Sequence, residues 1–181
     1  MPELEDAGIA GAFVVPLLTN PDPRGSFTEI YRRDFVGGMR EMVQANLSFS
    51  HAGVLRGLHL HHLQADYWTV ISGTAVVGLY DLRTGSPTEG KKAEIRLEGP
   101  QPRTSLYIPK GVAHGFYAQT DVVLQYLVDE FFTGSDEFGV AWDDPDVGID
   151  WPTGGREPVV SDRDRANPSL AEALRDPPPY P

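Results

Sequence analysis

The chain has no cysteine among its 181 residues and no long run of apolar residues. The first absence excludes disulfides and thiol chemistry. The second excludes a transmembrane helix, which requires about 18 or more consecutive apolar residues. The acidic first residues also lack the apolar stretch of a secretory signal. From these absences we expect a cytoplasmic protein.

Basic residues are also scarce, with 15 Lys and Arg against 26 Asp and Glu and a formal net charge of -11. Non-specific binding to nucleic acids or to anionic membranes depends on a basic surface. We therefore predict neither a nucleic-acid partner nor a membrane partner. An anionic ligand would need a local cluster of arginines.

Glycine and proline are abundant instead, with 19 and 16 residues, and they separate short segments in which apolar and polar residues alternate. This pattern predicts an all-β sandwich or closed barrel. The length suits a single domain, residues 1–181, with a core at about 12–152 and a C-terminal segment 153–181 that packs against it before the last residues trail away. Helix is expected only weakly at 33–42 and more clearly at 169–175. The predicted strands are 12–18, 27–31, 43–49, 54–61, 67–72, 74–82, 92–97, 104–108, 115–118 and 122–128.

Histidines are concentrated in one segment of this pattern. His59 and His61 alternate by two on a predicted strand and therefore share a face, whereas His62 should point the other way. His114 follows a Pro-Gly turn further along the chain. The order H-x-H-x4-D-x6-G followed by P-x-G-x2-H is similar to the two motifs of the cupin barrel, with Asp66 where that pattern usually has Glu. The resemblance implies a cupin-type double-stranded β-helix, or jelly-roll barrel, with a few short helices.

Between about residues 22 and 164 the chain resembles the dTDP-4-dehydrorhamnose 3,5-epimerases, a nucleotide-sugar branch of the cupins. Six motifs carry the resemblance in register. They are D-P-R-G-S-F-T-E at 22–29, Q-A-N-L-S-F-S at 44–50, V-L-R-G-L-H at 54–59, D-L-R with S-P-T-E-G at 81–90, I-P-K-G-V-A-H-G-F at 108–116, and W-D-D-P-D through I-D-W-P at 142–152.

This resemblance implies an isomerase that epimerises C3, C5 or both in a dTDP-4-keto-6-deoxyhexose, within deoxysugar biosynthesis of the rhamnose type. It further implies a homodimer that needs no metal or other cofactor. His59 would be the base and Asp164 would orient it. The implied nucleotide and diphosphate contacts are Arg24, Phe27, Glu29, Gln44, Asn46 and Arg56, to which we add His114 and Trp142 as candidate substrate contacts.

Elementary chemistry supports these roles. A proton next to a ketone is removed only when a base lies within hydrogen-bond reach and the enolate oxygen meets a donor or a positive charge. An imidazole such as His59 can be that base, and a carboxylate such as Asp164 fixes its tautomer. Arg24 and Arg56 offer planar pairs of donors that suit a diphosphate.

The sequence departs from the family at two chemical positions. The family's lysine, seven residues before Gly73, is Asp66 here, and its tyrosine after the last barrel strand is Phe132, beside Phe131. A carboxylate in place of the cation would repel the charge of an enolate. At the family's next inward position, normally glutamine, the chain has His61. We therefore predict that His61, kept protonated by Asp66, donates to the enolate oxygen.

Three other functions stay open. The run R-G-L-H-L-H at 56–61 also resembles dTDP-sugar 3,4-ketoisomerases, in which two histidines move protons on one sugar face. Alternatively, the chain is a metal-dependent cupin enzyme that binds Fe, Mn, Ni or Zn through His59, His61, Asp66 and His114. The loss of two family groups also allows a sugar-binding homologue without catalysis.

Overall fold

The computed structural model describes residues 2–178 and contains, within that range, twelve strands and two short helices. Residues 177–181 were predicted to trail over the surface, but Pro178 is buried and its backbone oxygen accepts from the Thr84 N–H at 3.0 Å, while residues 179–181 lie outside the described range. None of the helices is long and apolar enough to span a membrane, as judged on the described residues. The strands are β1 (Glu5–Asp6), β2 (Phe13–Pro16), β3 (Thr19–Asp22), β4 (Gly25–Thr28), β5 (Gln44–Ser50), β6 (Leu55–Leu60), β7 (Asp66–Asp81), β8 (Lys92–Gly99), β9 (Thr104–Ile108), β10 (Val112–Ala118), β11 (Val122–Val128) and β12 (Phe138–Gly139), and the helices are α1 (Asp162–Arg165) and α2 (Leu170–Ala173).

One long strand, β7, connects the two sides of the barrel. Its first half pairs with β9 and β11, and its second half pairs with β8 and β10. The direction changes at Gly73, whose φ is +85° and where an added Cβ would lie 1.9 Å from the carbonyl oxygen of Asp121. Only glycine fits this bend. The two strands predicted at 67–72 and 74–82 are therefore one strand, and the all-β jelly-roll prediction is confirmed.

The apolar core lies between the two sides of the barrel. Its largest cluster of buried side chains includes Trp68, Val77, Leu106 and Phe116, and the Trp68 and Phe116 rings meet edge to face with centroids 5.8 Å apart. Burial of such alternating apolar positions from paired strands is the main stabilising contribution in a fold of this kind.

Strand β5 reverses the usual pattern, in which apolar side chains point inward and polar side chains point outward. Its inward positions are polar, and its outward positions include Leu47 and Phe49, which are 72% and 53% exposed. It pairs with β11 on one edge, so its other edge has no strand partner within residues 2–178. The inward face of β5 is thus suited to a polar cavity, and its outward face to contact with another surface.

Strands β3 and β4 form a hairpin separate from the main sheet. Strand β4 corresponds to the prediction at 27–31 but begins and ends earlier, whereas β3 was not predicted because it contains Pro21 and Asn20. Phe27 on this hairpin is 69% exposed. The hairpin therefore presents an aromatic side chain to solvent in the isolated chain.

The segment after residue 153 folds back onto the barrel. Val159 forms a parallel bridge with Val54, and Val160 packs in a buried cluster with Leu55. Helix α1, which we did not predict, is capped by Ser161, whose hydroxyl accepts from the Asp164 backbone N–H at 3.1 Å. The helix expected at 169–175 is the shorter α2, with a Ser169–Glu172 capping box, and the turn at 33–42 contains no helix.

A buried ion pair follows the end of β7. The Arg83 guanidinium donates to both carboxylate oxygens of Asp81 at 2.7 and 2.8 Å, and the hydroxyls of Ser86 and Thr88 donate to Oδ2 at 2.5 and 2.6 Å. Burial alone would raise the pKa of Asp81, but these donors together lower the pKa of Asp81 below its usual value. The carboxylate is therefore ionised at neutral pH and organises the loop after β7.

We expect Asp81→Asn to lower the free energy of unfolding at pH 7 by about 3 kcal/mol, because it leaves the Arg83 charge buried opposite a neutral amide. A depressed pKa stabilises the fold above the unfolded-state pKa, and this stabilisation is lost as the pH falls through the folded-state value. The variant should therefore lose less stability on acidification than the wild type. Urea unfolding between neutral and acidic pH measures both effects, and an unchanged midpoint at pH 7 would contradict the structural role.

Candidate active site

A cavity of about 380 Å³ opens into the barrel. Trp68, Phe116 and Leu124 belong both to the core and to the cavity lining, so they form its apolar floor. Its walls are mostly polar, because the inward-facing polar side chains of β5 meet there with the arginine, histidine and aspartate side chains of the β6, β7 and β10 segments. The polar lining residues are Gln44, Asn46, Ser48, Arg56, His59, His61, Gln64, Asp66, His114, Tyr126, Glu137 and Arg163.

His59 and Asp164 form a hydrogen-bonded pair at this cavity. The His59 Nε2 lies 2.8 Å from Oδ1 of Asp164, and Oδ2 of Asp164 accepts from the Gly57 backbone N–H at 3.2 Å. Because a carboxylate only accepts, the His59 Nε2 carries the proton and Nδ1 is left to accept another. Asp164 is buried, whereas the His59 side chain is one-quarter exposed.

The charge of Asp164 is maintained by its donors. Burial would raise the pKa of Asp164, but the hydrogen bonds from His59, Gly57 and Ser161 together lower the pKa of Asp164 below its usual value. The ionised carboxylate holds the imidazole in one tautomer. Sequence analysis predicted this pairing across 105 residues, and helix α1 provides it by placing Asp164 behind β6.

His61, Asp66 and His114 form a second, fully buried group in the same cavity. Each offers one atom, and the three atoms lie within 4.8 Å of one another. The His114 Nε2 is 3.8 Å from Oδ2 of Asp66, and the two imidazole centroids are 5.5 Å apart. Burial lowers the pKa of His114 to about 4, so this ring is neutral. Two imidazoles and one carboxylate are a donor set that suits a transition-metal ion.

The predicted pairing of His61 with Asp66 is replaced by other contacts. The His61 Nδ1 donates to the backbone oxygen of Asp136 at 2.6 Å and lies 3.6 Å from Oε1 of Glu137. Asp66 instead accepts from Trp68 Nε1 and from Gln64 Nε2, both at 3.1 Å. The loop after β11, whose approach the sequence did not reveal, supplies the partners of His61.

His59 does not belong to this second group, although the alternative metal set included it. Among the described residues, the ligand atoms that lie within 4.8 Å of one another come from His61, Asp66 and His114, whereas His59 is bonded to Asp164. His62, as expected, does not line the cavity, and its ring stacks on Phe138 with centroids 4.5 Å apart.

Two arginines supply positive charge to the cavity. Arg56 donates to the Ser50 hydroxyl at 2.8 Å and to the Phe49 backbone oxygen at 3.1 Å. Arg163, which sequence analysis missed, forms an ion pair with Glu137 at 2.7 Å. The sequence signal that could have identified Arg163 was its position directly before Asp164, in a helix turn capped by Ser161.

The sequence predicted some of the remaining cavity residues and missed others. Gln44 and Asn46 were predicted, and they are joined by a hydrogen bond of 2.9 Å. Phe132, at the family's tyrosine position, lies at the cavity and donates its backbone N–H to Gln44 at 3.2 Å. Tyr126 was missed, although the alternation in β11 predicts that it points inward with Leu124. Burial, followed by the nearby negative charges, raises the pKa of Tyr126, so its hydroxyl is protonated at neutral pH.

Four predicted substrate contacts lie away from this cavity. Arg24 pairs with Asp22 at 2.6 Å on the exposed hairpin, Phe27 is on the same hairpin, and Glu29 follows it. Trp142 packs in a cluster on the outside of the barrel and accepts a hydrogen bond from the Trp151 indole at its backbone oxygen. The first three residues can act in a cavity only if the hairpin reaches one in another subunit.

Comparison with known proteins gives consistent results. The profile of the family described as dTDP-4-dehydrorhamnose 3,5-epimerase matches residues 6–172. A dTDP-4-dehydrorhamnose 3,5-epimerase of Streptomyces griseus is 40% identical over 175 residues, which cover 92% of this chain and 86% of the relative.

Solved structures of such enzymes are also similar. An epimerase of Mycobacterium tuberculosis has a TM-score of 0.92 at 34% identity, with 98% of this chain and 94% of the other covered. A dTDP-6-deoxy-D-glucose-3,5-epimerase of Legionella pneumophila, in complex with dTDP-4-keto-L-rhamnose, has a TM-score of 0.90 at 30% identity, with both chains covered completely. On fold, length and sequence, this chain belongs to the dTDP-4-dehydrorhamnose 3,5-epimerase family.

Proposed function

We propose that the protein is an isomerase that epimerises a dTDP-4-keto-6-deoxyhexose at C3, at C5 or at both, in deoxysugar biosynthesis. The observation that carries the proposal is the His59–Asp164 pair, in which a base with a fixed tautomer faces a cavity that also contains arginine. The activities of the relatives support the same reaction.

The chemistry begins with His59 as the base. It removes the proton from the carbon next to the ketone, and the electron pair of that C–H bond moves to the ketone oxygen to form an enolate. Return of a proton to the opposite face inverts the carbon. Phe132 cannot supply that proton, and the Tyr126 hydroxyl is the protonated phenol in the cavity that can.

Substrate binding would use the two cavity arginines. The protein has a net charge of -11, so a doubly charged diphosphate is attracted only where guanidinium groups are concentrated. Arg56 is held by Ser50 and by the Phe49 carbonyl and is therefore pre-oriented. Arg163 would exchange its contact with Glu137 for the substrate, and Gln44 and Asn46 would offer amide groups to the nucleotide.

The direct test is incubation with dTDP-4-keto-6-deoxyglucose in deuterated water, followed by NMR at each sugar carbon. Exchange at C3 or C5 with a new epimer supports the proposal and identifies the carbon. Migration of the ketone to C3 would show a 3,4-ketoisomerase. Binding without any exchange would show a non-catalytic homologue.

We expect Tyr126→Phe to retain deuterium exchange but to lose epimer formation by about 10²-fold or more, because a base alone returns the proton to the face from which it came. Exchange and inversion are measured in the same NMR experiment. Tyr117→Phe, which alters a tyrosine of the outer cluster with Val160, is the matched control. Unchanged inversion in Tyr126→Phe would remove this hydroxyl from the reaction.

We also propose a homodimer in which the β3–β4 hairpin of one subunit reaches the other subunit's cavity. The hairpin exposes Phe27, and β5 offers a free edge and two exposed apolar side chains beside Gln44 and Asn46. An exposed strand edge and exposed apolar side chains are both energetically unfavourable in water. This arrangement would bring Arg24 and Glu29 to the nucleotide as well.

Phe27→Asp is expected to weaken dimerisation and to reduce dTDP binding at least 10-fold, because it places a charge in the apolar contact. Light scattering at micromolar concentration and calorimetric titration with dTDP measure the two effects. Leu174→Asp, on an exposed part of the C-terminal segment, should change neither. A wild-type monomer that binds dTDP would rule out the arrangement.

A further inference from the structure

We propose that His61, Asp66 and His114 bind one divalent first-row transition-metal ion, and that this ion provides the positive charge opposite the enolate oxygen. The catalytic part of this inference rests on the proposed epimerase function, whereas the binding part does not. The ligand set differs from the four-residue alternative considered on sequence, because the cluster of possible ligand atoms within 4.8 Å of one another contains His61, Asp66 and His114 but not His59.

The two imidazoles are oriented as metal ligands are. The His61 Nδ1 donates to the Asp136 backbone oxygen at 2.6 Å, and the His114 Nδ1 donates to the Val112 backbone oxygen at 2.9 Å. These bonds place the protons on Nδ1 and leave a lone pair on each Nε2. Metal-binding histidines typically have such a backbone or carboxylate partner on their second nitrogen.

Hydrogen bonds also orient the carboxylate of Asp66. Asp66 is almost fully buried, and its two oxygens accept from the Trp68 indole and from the Gln64 amide, each at 3.1 Å. Neither donor is a cation. The Asp66 charge is thus oriented but not neutralised by these two bonds, and burying it without a counter-charge is unfavourable.

The spacing of the three groups is too long for hydrogen bonds and close to that of a coordination site. The His114 Nε2 and Asp66 Oδ2 are 3.8 Å apart, and all three atoms lie within 4.8 Å. Ligand atoms about 2.1 Å from a tetrahedral ion are about 3.4 Å apart. Small side-chain rotations would therefore complete the site, and an ion between the three acceptors would satisfy all of them.

The two departures from the family pattern in this cavity are consistent with a metal site. Asp66 occupies the position at which the family pattern has a lysine, and His61 occupies one at which it has a glutamine. The two departures that remove the usual cation thus add two of the three ligands. A metal ion in the cavity would restore positive charge beside the base, and His59, which remains free of the ion, would still take the proton.

The donor set defines the class of ion. Two imidazole nitrogens and one carboxylate favour Zn²⁺, Fe²⁺, Co²⁺, Ni²⁺ or Mn²⁺ over Mg²⁺ and Ca²⁺, which prefer oxygen ligands. Three protein ligands also leave a position for water or for the ketone oxygen of a substrate, as in catalytic rather than structural sites.

Binding is tested with Co²⁺ as a spectroscopic probe of the chelator-treated full chain. We expect one Co²⁺ per subunit, with visible d–d absorption, and displacement of that absorption by Zn²⁺. His61→Gln and Asp66→Lys, which install the family's own residues, and His114→Gln should each weaken Co²⁺ binding at least 100-fold. His62→Gln and His51→Gln should leave it unchanged, because neither ring reaches the group.

The outcomes separate binding from catalysis. Absence of stoichiometric Co²⁺ binding by the wild type, or binding that survives all three ligand substitutions, would overturn the site. Full deuterium exchange by chelated, metal-free protein would overturn its catalytic role. If protein that is demonstrably loaded with Co²⁺ exchanged no sugar proton, the metal site would stand and the epimerase proposal would fail.

Discussion

His59→Ala should abolish deuterium exchange at every sugar carbon, with a loss of at least about 10³-fold. No other imidazole in the cavity has a carboxylate hydrogen-bonded to one nitrogen and the other nitrogen left to accept, as judged on the described residues. Water cannot replace a positioned base at a comparable rate. The measurement is the exchange rate by NMR in deuterated water at saturating substrate.

The control for this variant is His62→Ala, which removes a neighbouring imidazole that lies outside the cavity. Its exchange rate should match that of the wild type. Calorimetric titration should also show that His59→Ala still binds dTDP, because the side chain is not proposed to contact the nucleotide. Exchange that persists in His59→Ala with intact binding would transfer the role of base to another residue.

The fold was largely predictable because its signals are local. Period-two alternation located ten segments, and the bend of β7 at Gly73 was the main error, since a glycine between two apolar runs looks the same as a turn. Helix α1 was not predicted because four residues, two acidic and two basic, give no helical periodicity. Its presence depends on the Ser161 cap and on the contact of Asp164 with His59, which is a tertiary interaction.

The site was predictable where motifs fix it and not where loops fold over it. Strand alternation placed His59 and His61 on one face, the resemblance to the cupin motifs implied that His114 joins them, and all three line the cavity. The partners of His61 were not predictable, because Asp136 and Glu137 come from a loop whose path follows from the packing of β12 on β6. Sequence alone therefore paired His61 with Asp66 and missed the hydrogen bond to the Asp136 backbone oxygen and the Glu137 carboxylate 3.6 Å away.

The two groups of histidines in the cavity differ in their hydrogen-bond partners. A histidine whose Nε2 is occupied by a carboxylate is prepared to accept a proton at Nδ1, as in His59. A histidine whose Nδ1 donates to a backbone carbonyl instead presents a lone pair at Nε2, as in His61 and His114. Each ring thus keeps one lone pair, and the two groups differ because a carboxylate accepts from His59, whereas neutral carbonyls accept from His61 and His114, which lie beside the Asp66 carboxylate.

Asp164→Asn should lower the exchange rate by about 10² to 10⁴-fold while the protein remains folded, because an amide in this place can favour the wrong imidazole tautomer. The carboxylate now accepts from both His59 Nε2 and the Gly57 backbone N–H. If the amide oxygen accepts from Gly57, the NH₂ group faces Nε2 and forces the proton onto Nδ1, which disables the base.

Asp162→Asn, on the exposed side of α1, carries the same change of charge and should have little effect. The exchange rate, the dTDP affinity and the urea midpoint are compared for the three proteins. A loss of affinity or of folding that accounted for the slower exchange would show that Asp164 supports structure rather than the orientation of His59, and an undiminished rate would show that Asp164 does not orient His59.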